Sequence, residues 1–168
     1  MEARRVSETR LVMPVRMLPQ DANPAGNIHG GVMLRQIDLA GGIVATRFAQ
    51  SPVVTVSIDR MDFLAPVHVG EVMLLKACVN YVGSTSMEVG VRVEAENMLT
   101  REIRHAATAY MTFVAMDETR RPKPLPQLIP ETPEEQRRFE EASLRRTARR
   151  QERLREQSGQ AGTQHSQA

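Results

Sequence analysis

The sequence predicts an α+β domain in which an antiparallel sheet packs against one long helix. Two observations lead to this fold class. A mostly apolar stretch without proline, long enough for about five helical turns, covers residues 31–49, and four strand-like segments joined by short turns follow it. Consecutive strands with short connections pair antiparallel, because a parallel pair requires a long crossover. The helix should therefore cover one face of a largely antiparallel sheet.

The strand segments stand out by their β-branched residues and by alternation. They cover residues 51–63, 70–83, 85–97 and 103–117, and a further segment at residues 7–16 contains Pro14, which suits the edge of a sheet. Apolar residues at 87, 89, 91 and 93 alternate with Glu88, Gly90, Arg92 and Glu94, which predicts a strand with one face in water. The helix is apolar nearly all round, which indicates that other protein surrounds it.

A second helix, rich in charge, should follow the domain. Thr132, Pro133 and Glu135 give an N-cap, a proline in the first turn and a capping-box acid. Arginine and glutamate are then interspersed through residue 157, which is typical of a solvated helix. An RNA-binding arm is the alternative, but no aromatic platform accompanies the arginines and acids nearly balance them.

These features divide the chain into three parts. We predict a sheet-and-helix domain over residues 1–130, a charged helix over 131–157 and a disordered polar tail over 158–168. Few apolar residues follow Phe139, so the sequence predicts that deletion of residues 144–168 leaves the domain folded and active.

Composition narrows the class of protein. Of the 168 residues, 41% are hydrophobic but only 4% are aromatic, so the core should be aliphatic. The single cysteine, Cys78, cannot form an intrachain disulfide, and neither a signal-peptide pattern nor an apolar run of about 18 residues is present. We expect a cytoplasmic protein that uses neither a membrane nor nucleic acid, since the net charge is only +2.

Asp38 is the acid that interrupts the apolar helix. On a helical wheel it shares its face with Gly31, Leu34, Arg35, Gly41, Gly42 and Ala45. Small neighbours leave room for a ligand or for another segment of backbone. The residues alone permit two interpretations: a buried carboxylate held by Arg35 or by backbone N–H groups, or a general base.

The Gly30-Gly31 pair precedes Asp38 at the start of the helix. Unpaired N–H groups and partial positive charge at a helix N-terminus can stabilise an oxyanion, and glycine lets a substrate approach closely. Asp38 lies about 10 Å further along the helix, so it would act through a water or with groups from another chain. Simple loop flexibility is the alternative explanation for the glycine pair.

Several of these motifs, in this order, resemble one family. The stretches "DANPAGNIHGGVMLRQIDLAGGIVATRF" and "VVTVSIDRMDFLAPVHVGEVMLLKACVNYVGSTSMEV" are similar to the hotdog-fold acyl-CoA thioesterases, in particular the brain-type long-chain acyl-CoA hydrolases and their single-domain bacterial relatives. The similarity covers about residues 8–140. It implies a sheet wrapped around a central helix, a homodimer with one continuous sheet, and often a hexamer built as a trimer of dimers.

The resemblance also implies an activity and its catalytic residues. It implies hydrolysis of fatty acyl-CoA to free fatty acid and coenzyme A, with the catalytic acid at Asp38 in "QIDLAGG" and the catalytic asparagine at Asn23 in "DANPAGN". The N–H of Gly31 would bind the oxyanion. Asp38 would act as base or nucleophile, and Asn23 would come from the other subunit of the dimer. Without the resemblance, the sequence around Asn23 predicts only a turn residue before Pro24.

Further residues are candidates for substrate binding. They are His29, Gly30, Ser57, Arg60 and the turn formed by Gly83, Ser84, Thr85 and Ser86, with Arg101, Arg104, Arg120, Arg121 and Lys123 as further candidates for the phosphates. Coenzyme A is part of the substrate, so no cofactor is expected, and His68 and His105 lack the spacing of metal ligands.

Two alternatives to the thioesterase remain open in the sequence. His29 before a helical acid also fits the dehydratase branch of this fold. A non-catalytic acyl-CoA-sensing hotdog protein would need the binding channel without Asn23 and Asp38, so the presence of both residues favours the enzyme.

Overall fold

A five-stranded antiparallel sheet and one long helix form the body of the protein. The computed structural model describes residues 2–164, with side chains through residue 156. In chain order the elements are β1 (Arg4–Arg5), β2 (Leu11–Arg16), α1 (Gly30–Ala49), β3 (Val53–Phe63), β4 (Val72–Val82), β5 (Ser86–Glu96), β6 (Ile103–Ala115), β7 (Leu128–Ile129) and α2 (Pro133–Gln164). The predicted α+β class and the order of its elements are confirmed.

The sheet has two edges with different properties. Its strand order is β2-β4-β5-β6-β3, and every pairing is antiparallel. β2 lies at one edge, where Pro14 costs no ladder hydrogen bond on the open side, as predicted. β3 forms the other edge and leaves a row of backbone N–H and C=O groups unpaired.

Two irregularities in β3 direct its side chains to opposite faces of the sheet. The register with β6 shifts between Thr55 and Ser57 and again between Ile58 and Arg60. Thr55 therefore lies opposite Phe113 on the face that α1 covers, which we call the inner face, whereas Ser57 lies opposite Thr112 on the outer face.

α1 packs on the inner face through a stripe of small and apolar residues. Ile37, Ala40 and Val44 are almost fully buried there. Gly41 permits the close approach, because an added Cβ would lie 3.0 Å from the Phe113 ring. Leu39 and Ile43 remain 51% and 37% exposed. We predicted that protein surrounds the helix on all sides. Within one subunit only the side that faces the sheet is buried.

α2 covers part of the outer face of the sheet, so the predicted wet face of β5 is wrong at Glu88 but correct at Arg92, whose side chain is 50% exposed. Glu88 is only 2% exposed and accepts hydrogen bonds from Arg145 at 2.7 and 3.1 Å. Arg149 forms an ion pair with Asp59 of β3, and Phe139 packs against a tyrosine ring of β4. The predicted solvated helix is also wrong for this part of α2, because its arginines pair with acids of the sheet.

The ends of α2 are set by capping and by propensity. Thr132 and Glu135 form the predicted capping box through hydrogen bonds of 3.1 and 3.2 Å. The helix continues to Gln164, seven residues past the predicted boundary at 157. Extension of an existing helix is inexpensive compared with nucleation. The remaining four residues of the predicted tail lie outside the described residues. Neither helix in the described chain is both long and apolar enough to span a membrane.

Candidate active site

Asp38 lies on the side of α1 next to the open edge of the sheet. Its carboxylate is exposed, and Oδ1 accepts a hydrogen bond of 2.8 Å from the Thr55 hydroxyl. Within residues 2–164, Oδ2 has no partner and Arg35 does not pair with the carboxylate. Gly42, one turn on, has no atom within 4 Å of where a Cβ would lie. The alternative of a buried Asp38 held by Arg35 or by backbone N–H groups is therefore wrong, and one carboxylate oxygen faces open space.

Thr55 is a site residue that sequence reasoning missed. In a regular strand it belongs to the run of β-branched residues that simply favours β-structure. Its orientation toward Asp38 depends on the bulge that follows it, and no residue type marks that bulge. A threonine 17 residues after the acid is the only signal that the sequence offers.

Asn23 stabilises the turn before α1 through one end of its side-chain amide. Its Oδ1 accepts from the backbone N–H groups of Ala25 and Asn27, at 2.9 and 3.2 Å. Two such donors require an acceptor, so the amide nitrogen is the end that points away from the turn. In the described part of the chain, this nitrogen has no partner. The turn interpretation is thus correct, and the same geometry presents an N–H₂ donor.

An open cleft of about 390 Å³ adjoins Asn23. Its other lining residues are mostly apolar: Asn27, Ile28, Gly30, Met33, Phe63, Leu64, Ala65, Pro66 and Val67. At Gly30 a Cβ would lie 3.3 Å from the Phe63 ring, so glycine keeps this wall close to the helix start. We call this space the Asn23 cleft. An apolar cleft lined by two side-chain amides, those of Asn23 and Asn27, suits an acyl group next to a polar carbonyl.

At the start of α1, the backbone N–H of Gly31 is not free as we predicted. The Nδ1 atom of His29 accepts from the N–H of Gly31 at 3.1 Å, so His29 is the N-cap of the helix. Gly31 therefore does not offer the free oxyanion donor that we predicted. The N–H of Gly30 has no partner among the described residues, and Gly30 lines the Asn23 cleft.

Asp38 and Asn23 lie far apart within one subunit. Thr55, beside Asp38, is near the start of β3, whereas Phe63, beside the Asn23 cleft, ends it. Along α1, Gly30 at the Asn23 cleft and Asp38 are eight residues apart, which is about 12 Å. One chain alone does not bring the two side chains to the same reacting carbon.

The remaining predicted binding residues lie on the outer face, away from Asp38. Ser57 donates to Asp59 at 2.8 Å, and Arg60 pairs with Asp62 at 2.7 Å. The turn of residues 83–86 faces α2, where a Cβ on Gly83 would lie 3.1 Å from the Arg146 guanidinium. These residues do not form one site with Asp38 in a single subunit.

One predicted phosphate ligand is part of a buried ion pair. Arg104 donates two hydrogen bonds to Glu71, at 2.7 and 2.8 Å, and a third to the Pro66 carbonyl. Burial by itself raises the pKa of Glu71, but hydrogen bonds from Arg104 and from the His68 backbone bring it below its usual range. Arg104 thus fixes the segment that lines the Asn23 cleft and is not free for phosphate.

The described residues offer neither a cluster of metal ligands nor a reactive thiol that could form a second catalytic centre. Among residues 2–164, no group of three or more histidine, cysteine, aspartate or glutamate side chains is placed to hold a metal ion. Cys78 is buried, and that burial raises the pKa of its thiol. A raised thiol pKa disfavours the nucleophilic thiolate.

Comparison with known proteins gives a consistent result. Residues 25–101 match the family model described as "Thioesterase superfamily". The chain is 39% identical over 134 residues to the "Uncharacterized acyl-CoA thioester hydrolase YkhA" of Bacillus subtilis. This match covers 80% of this chain and 78% of that protein.

Solved structures share the fold over nearly the whole chain. An apo-hexameric acyl-CoA thioesterase superposes with a TM-score of 0.87 at 39% identity, covering 90% of this chain and 97% of that one. The acyl-CoA hydrolase of Staphylococcus aureus, solved with butyryl-CoA and CoA, gives 0.85 at 32% identity, covering 97% and 98%. Because the match to YkhA extends over most of both sequences, the chain belongs to the thioesterase superfamily.

Proposed function

We propose that this protein is an acyl-CoA thioesterase, which hydrolyses fatty acyl-CoA to a free fatty acid and coenzyme A. The observation that carries the proposal is the hydrogen bond from Thr55 to Asp38, which leaves the second carboxylate oxygen facing open space. A carboxylate held in this way is suited to accept a proton from water or to attack a carbonyl.

The spacing of three residues supports the same assignment. Structures of the Staphylococcus aureus hydrolase include variants in which an asparagine, an aspartate or a threonine is replaced by alanine. By their numbers, these three positions are separated by fifteen and seventeen residues. Asn23, Asp38 and Thr55 are separated by the same intervals.

The open edge of β3 supports a homodimer. Val54, Val56 and Ile58 along this edge are 42%, 43% and 41% exposed, and Leu39 and Ile43 of α1 add apolar surface beside them. An edge strand with unpaired backbone groups and apolar side chains is a template for pairing with another strand. A second copy of β3, antiparallel and related by a two-fold axis, would cover this surface.

Such pairing would complete the site. If the axis passes near the middle of β3, the start of one strand lies opposite the end of the other. Asp38 and Thr55 of one subunit would then lie beside the Asn23 cleft of its partner, which removes the separation of about 12 Å along α1 within one chain. Each dimer would contain two equivalent composite sites.

The chemistry follows from the free atoms at this site. The thioester carbonyl oxygen would accept hydrogen bonds from the Asn23 amide nitrogen and the Gly30 N–H, and each such donor typically contributes about 2.7–4 kcal/mol. Asp38 would take a proton from the attacking water, and that proton would pass to the sulfur of the departing CoA. In the alternative route, Asp38 attacks directly, and water hydrolyses the resulting anhydride.

We also propose a hexamer of three such dimers and a cytoplasmic location. The hexamer is supported by the hexameric assembly of the apo structural neighbour. The cytoplasmic location is supported by the single cysteine, Cys78, which is buried and unpaired, as is usual in a reducing compartment.

The competing function is an acyl-CoA sensor without turnover. Binding requires the cleft, but it does not require a carboxylate oriented by a threonine or a free amide donor. The presence of both groups favours the enzyme.

A thiol-release assay with acyl-CoA substrates from acetyl to palmitoyl tests the proposal. We expect Asp38→Asn to lose more than about tenfold in kcat/KM, equivalent to about 1.4 kcal/mol, because the amide cannot take a proton. The matched control is Asp62→Asn, at a half-buried aspartate on the outer face that pairs with Arg60. Binding of the substrates without thiol release by the wild-type protein would favour the sensor instead.

A further inference from the structure

The segment between β3 and β4 forms one wall of the Asn23 cleft. It covers residues 64–71, and its first four residues, from Leu64 to Val67, line the cleft. We call it the wall segment. Because it belongs to neither strand, the sheet ladder does not fix its position, and other contacts must hold it against the turn that carries Asn23.

Backbone hydrogen bonds join the wall segment to that turn. The N–H of Ile28 donates to the Val67 carbonyl at 2.8 Å, and Asn27 forms a β-bridge with His68. Within the turn, the N–H of Asn23 donates to the Asn27 carbonyl at 2.7 Å, and the N–H of Asn27 donates back to the Asn23 side chain at 3.2 Å. A displacement of the wall segment therefore moves Asn27 and, with it, the Asn23 amide.

Arg104 of β6 attaches the wall segment to the sheet. Its guanidinium donates to the Pro66 carbonyl at 2.9 Å and makes two hydrogen bonds with Glu71. The Glu71 carboxylate also accepts from the backbone N–H of His68 at 2.8 Å. The ion pair thus holds the residues on both sides of Val67, which is the residue that bonds to the turn.

Both partners of this ion pair are largely shielded from water. The side chains of Glu71 and Arg104 are 8% and 27% exposed. A planar guanidinium can bind both carboxylate oxygens and still donate to a carbonyl, which a lysine ammonium cannot do in the same geometry. Buried ion pairs contribute little net stability compared with a well-packed apolar replacement, so stability is a weak reason for an arginine here. Fixing the geometry of the wall segment is the stronger reason.

We propose that Arg104 is a positioning residue: through Glu71, Pro66 and His68 it holds the Asn23 amide where the thioester carbonyl binds. The inference rests on the proposed function, in which Asn23 donates to that carbonyl. Arg104 itself does not contact the substrate. Its effect on the rate is indirect, and a displacement of about 1 Å in a group that acts on the substrate can lower the rate about 100-fold.

Kinetics of Arg104→Lys and Glu71→Gln tests this role. Lysine keeps the positive charge but loses the paired hydrogen bonds, and glutamine weakens the same pair from the other side. We expect each variant to lower kcat about tenfold or more and to change KM less than about threefold, because the misplaced donor acts in the transition state. The matched control is Arg10→Met, which takes an arginine from another buried glutamate, Glu135, at the other end of β2. It should keep kcat within about twofold of wild type.

A double-mutant cycle with Asn23→Ala separates positioning from a purely structural role. At raised enzyme concentration, the residual hydrolysis by Asn23→Ala and by Asn23→Ala/Arg104→Lys should differ by less than about twofold, because the group that Arg104 positions is already absent. Equal losses in both backgrounds, an effect confined to KM, unchanged kcat in both single variants, or failure of both to fold would overturn the proposal.

Hydrogen exchange tests the same link without turnover. The backbone N–H groups of Ala25 and Asn27, which donate to the Asn23 side chain, should exchange about fivefold faster or more in Arg104→Lys and at the wild-type rate in Arg10→Met. If the wild-type protein hydrolyses no acyl-CoA, the proposed function fails, while faster exchange still supports the link from Arg104 to Asn23. Unchanged exchange at both N–H groups would contradict that link.

Discussion

Replacing Thr55 by valine removes the hydroxyl that orients Asp38 and keeps the branched shape of the side chain. The hydrogen bond is 2.8 Å long and has a carboxylate as acceptor. Hydrogen bonds to charged groups contribute about 1.5–3 kcal/mol. Asp38 is exposed in the subunit, so water can replace part of this interaction. We therefore expect Thr55→Val to lose about 1–2 kcal/mol of transition-state stabilisation, or roughly 5-fold to 30-fold in kcat.

The assay compares wild type, Thr55→Val and Thr55→Ser with one acyl-CoA at saturating and limiting concentrations. Thr55→Ser keeps the hydroxyl and should retain most of the activity. We expect Thr55→Val to lower kcat more than it changes KM, because the hydroxyl positions the catalytic carboxylate. Thr55→Val should melt within a few degrees of wild type, since valine and threonine favour strands similarly. Activity of Thr55→Val above half of wild type, or equal losses in both variants, would refute this role.

The remaining predictions concern stability. Arg145→Met should cost about 3–5 kcal/mol, because it leaves the buried Glu88 carboxylate with only the Asn80 amide as a donor and no positive charge, and Glu88→Gln added to it should recover part of the loss. Contrary to the expectation from composition, deletion of residues 144–168 should lower Tm further, since it also removes the ion pair of Asp59; calorimetric melts of all three proteins check this. The pKa of Glu71 is lowered in the folded state, so its ion pair with Arg104 stabilises the fold in full above the unfolded-state pKa. This stabilisation is lost as the pH falls through the folded-state pKa. The Tm difference between wild type and Arg104→Met should therefore shrink between about pH 5 and pH 3, and a constant difference would contradict the assignment.

The fold could be predicted because its signals are local. Strand periodicity, short turns and a proline-free apolar helix each appear within a few residues of sequence. Asn23 and Asp38 could be singled out because motif order resembles a known family. Their catalytic roles, and the substrate-binding roles of Gly30 and His29 beside them, stay predictions.

The parts that sequence reasoning missed depend on contacts between distant residues. Alternation in β5 suggested a wet face, but Arg145 reaches Glu88 from 57 positions away. Thr55 required a bulge that no residue type marks, and the Gly31 donor was taken up by a side-chain cap from His29.

Complementation between two inactive variants tests the shared site most directly. Asn23→Ala and Asp38→Asn, carrying different affinity tags, should each be nearly inactive alone. In a doubly purified heterodimer, one composite site carries both substitutions and the other carries neither. If sites act independently, such a heterodimer should recover roughly half of wild-type activity. No recovery in a verified heterodimer would place Asn23 and Asp38 in the site of a single chain and contradict the account.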